Sequence, residues 1–155
     1  MKTKKKIVLI FFASLLLIFQ STIVMAAPIT NTESTKEYLS DGSYFETIIE
    51  SDSNLRSTIK NASKTTIYRN ANGEALWYAK VTANFYYDGT TSSCTSASAS
   101  SGSYVSTWKI LSQSSSRTGN VGSATVTAGA YMGGLYVGSM SKTVLISCDK
   151  NGNVS

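Results

Sequence analysis

Across residues 76–88 (LWYAKVTANFYYD) apolar side chains return at every second position. Trp77, Ala79, Val81, Ala83, Phe85 and Tyr87 share one parity, while Leu76, Tyr78, Lys80, Thr82, Asn84, Tyr86 and Asp88 share the other. Successive side chains alternate between the two faces of a strand, so this segment builds one apolar face and one mixed face, as in an antiparallel sheet covered on one side. After residue 27 no window keeps apolar residues at i, i+3, i+4 and i+7 for three turns, which excludes an α/β nucleotide-binding architecture.

The remainder of the chain repeats the signal less cleanly. Close to a third of the residues after position 27 are Ser or Thr, interleaved with Val, Tyr, Phe and Trp rather than confined to linkers, a composition that favours the pleated state. Further strands are expected over 44–50 and 58–69. Tyr104, Trp108 and Ile110 mark another, as do Ala124, Val126, Ala128, Ala130 and Met132, and finally Val144, Ile146 and Cys148. Asn72-Gly73 and Asp88-Gly89 carry hairpin chemistry, and 112–119 (SQSSSRTG) and Gly133-Gly134 read as turns. About seven strands in one domain give an all-β antiparallel β-sandwich, with a small closed β-barrel as the alternative. Two positions resist the pattern. Placing Cys94 inside also places Ser96 and Ser98 inside and turns Ala97 and Ala99 outward, which calls for an edge strand or a bulge. Lys142 shares the face of Met140 and Val144.

The N-terminus reads as an address. Residues 2–6 are basic, residues 7–19 (IVLIFFASLLLIF) form an apolar run of about thirteen residues, too short to span a bilayer as a helix, and small residues follow at Ala26 and Ala27. The expectation is a secretory signal helix over 1–27, cleaved after Ala26 or Ala27, then a flexible leader over 28–42 and a single β-rich domain over 43–155. No lipid-accepting Cys follows the apolar run and no apolar tail closes the chain, so no stable membrane anchor is expected after cleavage. Four of the lysines behind the formal charge of +5 lie in that signal, which leaves about +1 and removes the electrostatic case for a nucleic-acid partner.

Chemistry is constrained by what is missing. Without His the chain has no imidazole base, no His-held metal, and no Ser-His or Cys-His nucleophile. In an oxidising compartment the two cysteines, Cys94 and Cys148, are expected to form a disulfide closing a loop of about 55 residues, worth ~4 kcal/mol on the chain-entropy estimate. The S-x-x-K pattern recurs at Ser57/Lys60, Ser106/Lys109, Ser139/Lys142 and Ser147/Lys150, but its Ser must open a helix, and the Ser-rich composition explains the matches. Glu46 and Glu50 share a strand face roughly 13 Å apart, too far to act as a glycosidase pair. DKNGN (149–153) has the start of a calcium-loop spacing, with its Gly misplaced and no closing Glu, and reads instead as a terminal turn. No catalytic residue, metal site or cofactor is assigned.

The aromatics offer the remaining functional signal. Tyr78, Tyr86 and Tyr131 fall on outer faces and Tyr136 adjoins Gly133-Gly134; these four are the candidate binding residues, able to stack on sugar rings or to build a protein interface. The segments DGSYFETII (41–49), YRNANGEALWYAKVT (68–82), FYYDGTTSSCT (85–95), STWKILS (106–112) and the ending CDKNGNVS (148–155) resemble a family of small secreted proteins of Gram-positive bacteria. The resemblance implies export and a β-rich domain, and carries over no functional residue. The leading expectation is a secreted, non-enzymatic β-sandwich binding an unknown protein or glycan at a cell surface. The rivals are a bacteriocin-like secreted antagonist and a carboxylate-only glycan hydrolase.

Overall fold

The structure, a computed structural model, describes residues 30–52 and 58–155; the expected signal helix lies outside the described residues. Eight antiparallel strands follow one another: β1 (Thr30–Tyr38), β2 (Tyr44–Asp52), β3 (Ile59–Arg69), β4 (Ala75–Tyr87), β5 (Ser92–Ser103), β6 (Trp108–Thr118), β7 (Val121–Met132) and β8 (Leu135–Ser147). They form a five-stranded sheet, β1-β2-β3-β4-β5, and a three-stranded sheet, β6-β7-β8, packed face to face as a β-sandwich, with no closed barrel.

The core lies where the strongest alternation put it. Trp77, Ala79, Val81, Ala83 and Phe85 of β4 are buried against Ala124, Val126 and Ala128 of β7 and Val144 and Ile146 of β8. Large side chains sit at the two ends of the β4 face and small ones between them. Phe45, Tyr68, Trp77 and Trp108 cluster at one end with ring centroids 5.3 to 6.2 Å apart. Near the other end the sheets approach so closely that a Cβ on Gly122 would lie 3.1 Å from the Ala83 Cβ and 3.4 Å from the Cys94 Sγ.

The parity conflict around Cys94 is resolved by a bulge. Asn84 pairs with Ser96 and Phe85 with Cys94, which leaves Thr95 as an extra residue in β5. The strand therefore changes phase: Cys94 is buried, Ala97 and Ala99 pack on the core, and Ser96 and Ser98 face solvent.

Two segments differ from the sequence reading. The expected flexible leader, 28–42, contains β1, paired with β2 from Thr30↔Asp52 to Tyr38↔Tyr44. Its side chains are almost all exposed, so an edge strand held by backbone pairing carries no apolar period to read. Likewise 112–119 is not a turn: Ser112 through Thr118 belong to β6, and the turn is confined to Gly119-Asn120. Serine hydroxyls there serve a solvated sheet face, as where Ser116 and Ser123 pair at 2.7 Å.

The core predicts its own tolerance. Phe85→Ala should cost ~3–5 kcal/mol and Gly122→Ala ~1–3 kcal/mol, since one opens a cavity and the other overfills a closed sheet contact. Thermal or urea denaturation measures both, and a neutral Gly122→Ala would contradict the closeness of the sheets.

Candidate functional site

The carboxylates are committed to structure. Glu46 and Glu50 lie on the outer face of β2. Arg69 Nε donates to Glu46 at 2.7 Å, while Glu50 faces Lys80 Nζ at 3.7 Å and accepts from Ser63 Oγ at 3.2 Å. Asp41, Asp88 and Asp149 cap turns. The Ser43 hydroxyl and amide hold Asp41 below the ordinary carboxylate range, the Thr91 and Thr90 amides do so for Asp88, and the Asn153 side chain and amide do so for Asp149. A general acid needs the opposite displacement. The DKNGN segment is thus a turn, closed by the Cys148↔Val154 bridge and by reciprocal backbone bonds between Ser147 and Ser155.

Of the S-x-x-K pairs, Ser57/Lys60 has its serine outside the described residues, and in the others serine or lysine is engaged elsewhere. Ser139 and Lys142 lie on opposite faces of β8; Lys142 turns inward, where its ammonium lies 2.9 Å from Glu37 and 4.1 Å from the centre of the Phe45 ring. That contact explains how a lysine occupies a core-facing position: its stem lies along the aromatic cluster and its charge meets a carboxylate at the uncovered edge of the larger sheet. Ser147 shares a hydrogen bond with Ser155, and Lys109 stands over the Tyr131 ring.

The expected disulfide is absent: Cys94 and Cys148 are free and buried. Cys94, on β5 of the larger sheet, donates its thiol to the Ser96 carbonyl at 3.2 Å. Cys148, just beyond β8 of the smaller sheet, donates to the Asp149 carbonyl at 3.5 Å. Their amides bond successive carbonyls of the β6–β7 turn, Gly119 and Asn120, so both cysteines are anchored to the same turn. Burial pushes both thiols up from the ordinary cysteine value, with Arg117 opposing it at Cys94, which disfavours the reactive thiolate.

Of the four candidate tyrosines the structure unites two. Tyr131 and Tyr136 stack edge to face at 5.7 Å beside the β7–β8 turn, and Lys109 Nζ lies 4.6 Å from the centre of the Tyr131 ring. Tyr78 lies on the outer face of the larger sheet, over Gly102 and 5.7 Å from Tyr104. Tyr86 sits towards the other end of the same strand, opposite Ile59 and Ser93. The sequence reading missed the neighbours of the Tyr131/Tyr136 pair. Met132 and Leu135, flanking the Gly133-Gly134 turn, are 73% and 75% exposed, and Val137 is 59% exposed. Both glycines have positive φ, 56° and 85°, the requirement of a tight type I′ hairpin, so the turn is a narrow apolar tip. A signal was present: between Arg117 and Lys142 no residue is charged.

A shallow pocket of about 170 Å³ lies where the smaller sheet leaves β1 and β2 uncovered, lined by Glu33, Ile49, Ser51, Lys60 and the terminal Gly152, Asn153 and Val154. Among the described residues no three His, Cys, Asp or Glu side chains converge as a metal site would require, and no helix is long and apolar enough to cross a membrane. The fold and site define an antiparallel β-sandwich with an apolar hairpin tip. The chain matches no family model, no curated protein and no solved structure.

Two outcomes follow. A maleimide at neutral pH should leave both thiols unmodified in the folded protein and label both in guanidinium; no labelling after unfolding under non-reducing conditions would reveal a bridge. Because Asp149 is depressed on folding, its contribution to stability is complete above the unfolded carboxylate value near 3.8 and drains away as pH falls through the lower folded value. Asp149→Asn keeps the acceptor oxygen and removes the titration, so its stability should decline less steeply than the parent's below about pH 4 in acid denaturation.

Proposed function

We propose that this protein is exported and works without catalysis, as a binding module that presents the β7–β8 hairpin tip to a partner at a cell surface. The observation that carries this reading is the exposure of Met132 and Leu135. Large apolar side chains three-quarters open to water beside a stacked tyrosine pair serve no purpose in the core of their own chain. Support against a hydrolase comes from the carboxylates. Glu46 and Glu50 are each held by a cation, and the turn aspartates are held in the ionised form. Tyr78 and Tyr104 extend the aromatic surface along the same end of the sandwich, since the β5–β6 connection bonds Tyr104 to Leu76 and Thr107 to Tyr131.

Export and binding are tested separately. Mass spectrometry of culture medium should find a chain beginning at Ala27 or Pro28; recovery of the intact chain from the cytosol alone would overturn export. Labelled protein should be retained on whole bacterial cells, with retention falling roughly tenfold in Leu135→Asp, a change at an exposed turn that leaves folding intact. Equal retention of both proteins would remove the hairpin from the reading, and turnover of a substrate lost on Glu46→Gln would replace it with catalysis.

A further inference from the structure

The nature of the surface that receives the hairpin is written in its shape and in its charge. We infer that the β7–β8 tip is a shallow lipid-inserting element, and that the partner is the interfacial region of a phospholipid bilayer carrying anionic headgroups. The inference rests on the reading above that this hairpin is the contact surface.

Three observations favour lipid over a protein groove. First, the tip is convex. Met132 and Leu135 project from a two-glycine turn, and a fluid bilayer accepts a projecting apolar point without a matching cavity. Second, polarity is layered along the hairpin. Met132 and Leu135 are apolar and exposed next to the turn, and the Tyr131/Tyr136 pair stands immediately behind them, followed by the exposed Val137. Tyrosine, with an apolar ring and a polar hydroxyl, collects at that depth between hydrocarbon and water. Third, the Lys109 ammonium lies over the Tyr131 ring, and the whole stretch between Arg117 and Lys142 contains no carboxylate. A cation at the headgroup level and an uncharged apolar point beyond it form the pattern of an interfacial anchor. The glycine backbone at the turn lacks strand partners, which limits the depth to the hydrated interface, because unpaired amides are excluded from the hydrocarbon. The element touches the membrane and does not span it.

The test uses the chain from Pro28 onward, which carries every strand of the described fold, with vesicles of phosphatidylcholine alone or mixed with phosphatidylglycerol. Flotation should carry the protein with the anionic vesicles. Met132→Ser and Leu135→Ser should each weaken partitioning roughly tenfold. Lys109→Gln should weaken it about fivefold on anionic vesicles and leave binding to phosphatidylcholine unchanged. Unchanged thermal midpoints in these surface variants would show that folding is not the cause. Failure of the parent to float, or flotation that Leu135→Ser leaves intact, overturns the inference. If the parent fails to float yet is retained on cells through Leu135, the contact-surface reading stands and the lipid does not. Sedimentation as a dimer that Leu135→Ser dissociates, without lipid, would assign the tip to a second copy of the chain instead.

Discussion

The sandwich depends on one strand's apolar face being covered along its whole length. β4 is flanked by β3 and β5 within its sheet and meets β7 and β8 across the interface, so its odd-numbered residues are the place where both layers exclude water together. Trp77, Val81 and Phe85 fix the spacing of the layers and the alanines between them let the backbones close in. Burying side chains of that size contributes about 1.5–3 kcal/mol each, against which the single unpaired indole N–H of Trp77 is a local penalty the surrounding ring cluster outweighs.

Unequal sheets create the other features. Three strands cannot cover five, so the inner faces of β1 and β2 extend past β8. The chain manages this overhang with polar groups. Lys142 crosses from β8 to Glu37 of β1, and the terminal turn folds Gly152, Asn153 and Val154 over the gap near Lys60. Gly152 is required there, with φ of +86° and a position where a Cβ would fall 2.5 Å from the Tyr87 ring. The outer face of the smaller sheet has the opposite character. Hydroxyls satisfy one another across the strands, Thr125 with Thr143 at 2.9 Å and Thr127 with Ser141 at 2.6 Å. This pairing accounts for much of the serine and threonine in the sequence without invoking nucleophiles.

How much of this was legible follows from where burial leaves a period. β4 and β7 read clearly because one face of each is apolar at every second residue, and β8 read through Val144 and Ile146 despite Lys142 on the same face. The bulge at Thr95 was legible as a contradiction, since no single parity could bury both Cys94 and Ala97. The edge strand β1 and the serine-rich half of β6 were not, because an edge strand with most side chains in water is held by backbone bonds that any residue supplies. Cys94 and Cys148 show a different limit. The expected export argued for a bridge, but here both thiols are free and each donates to a nearby carbonyl. At the candidate site the tyrosines were visible by type, whereas Met132, Leu135 and Lys109 became significant only once the hairpin brought them around the Tyr131/Tyr136 pair.

The hairpin tip is also where local consistency fails, and that failure is informative. Large apolar side chains such as Ile59, Leu111 and Leu145 are exposed elsewhere too, but none of them is as open to water as Met132 and Leu135. At 131–137 the chain places Tyr, Met, Leu, Tyr and Val around an uncapped turn, with no ion pair among the described residues. Such a tip adds nothing to the stability of the fold and raises the risk of self-association. A turn at that position needs only the two glycines; Ser or Thr on either side would serve it equally well and match the rest of the sheet. On the proposed reading the apolar choice answers to a surface outside the chain, and the lysine and tyrosines behind it suit one that is apolar within and anionic at its boundary.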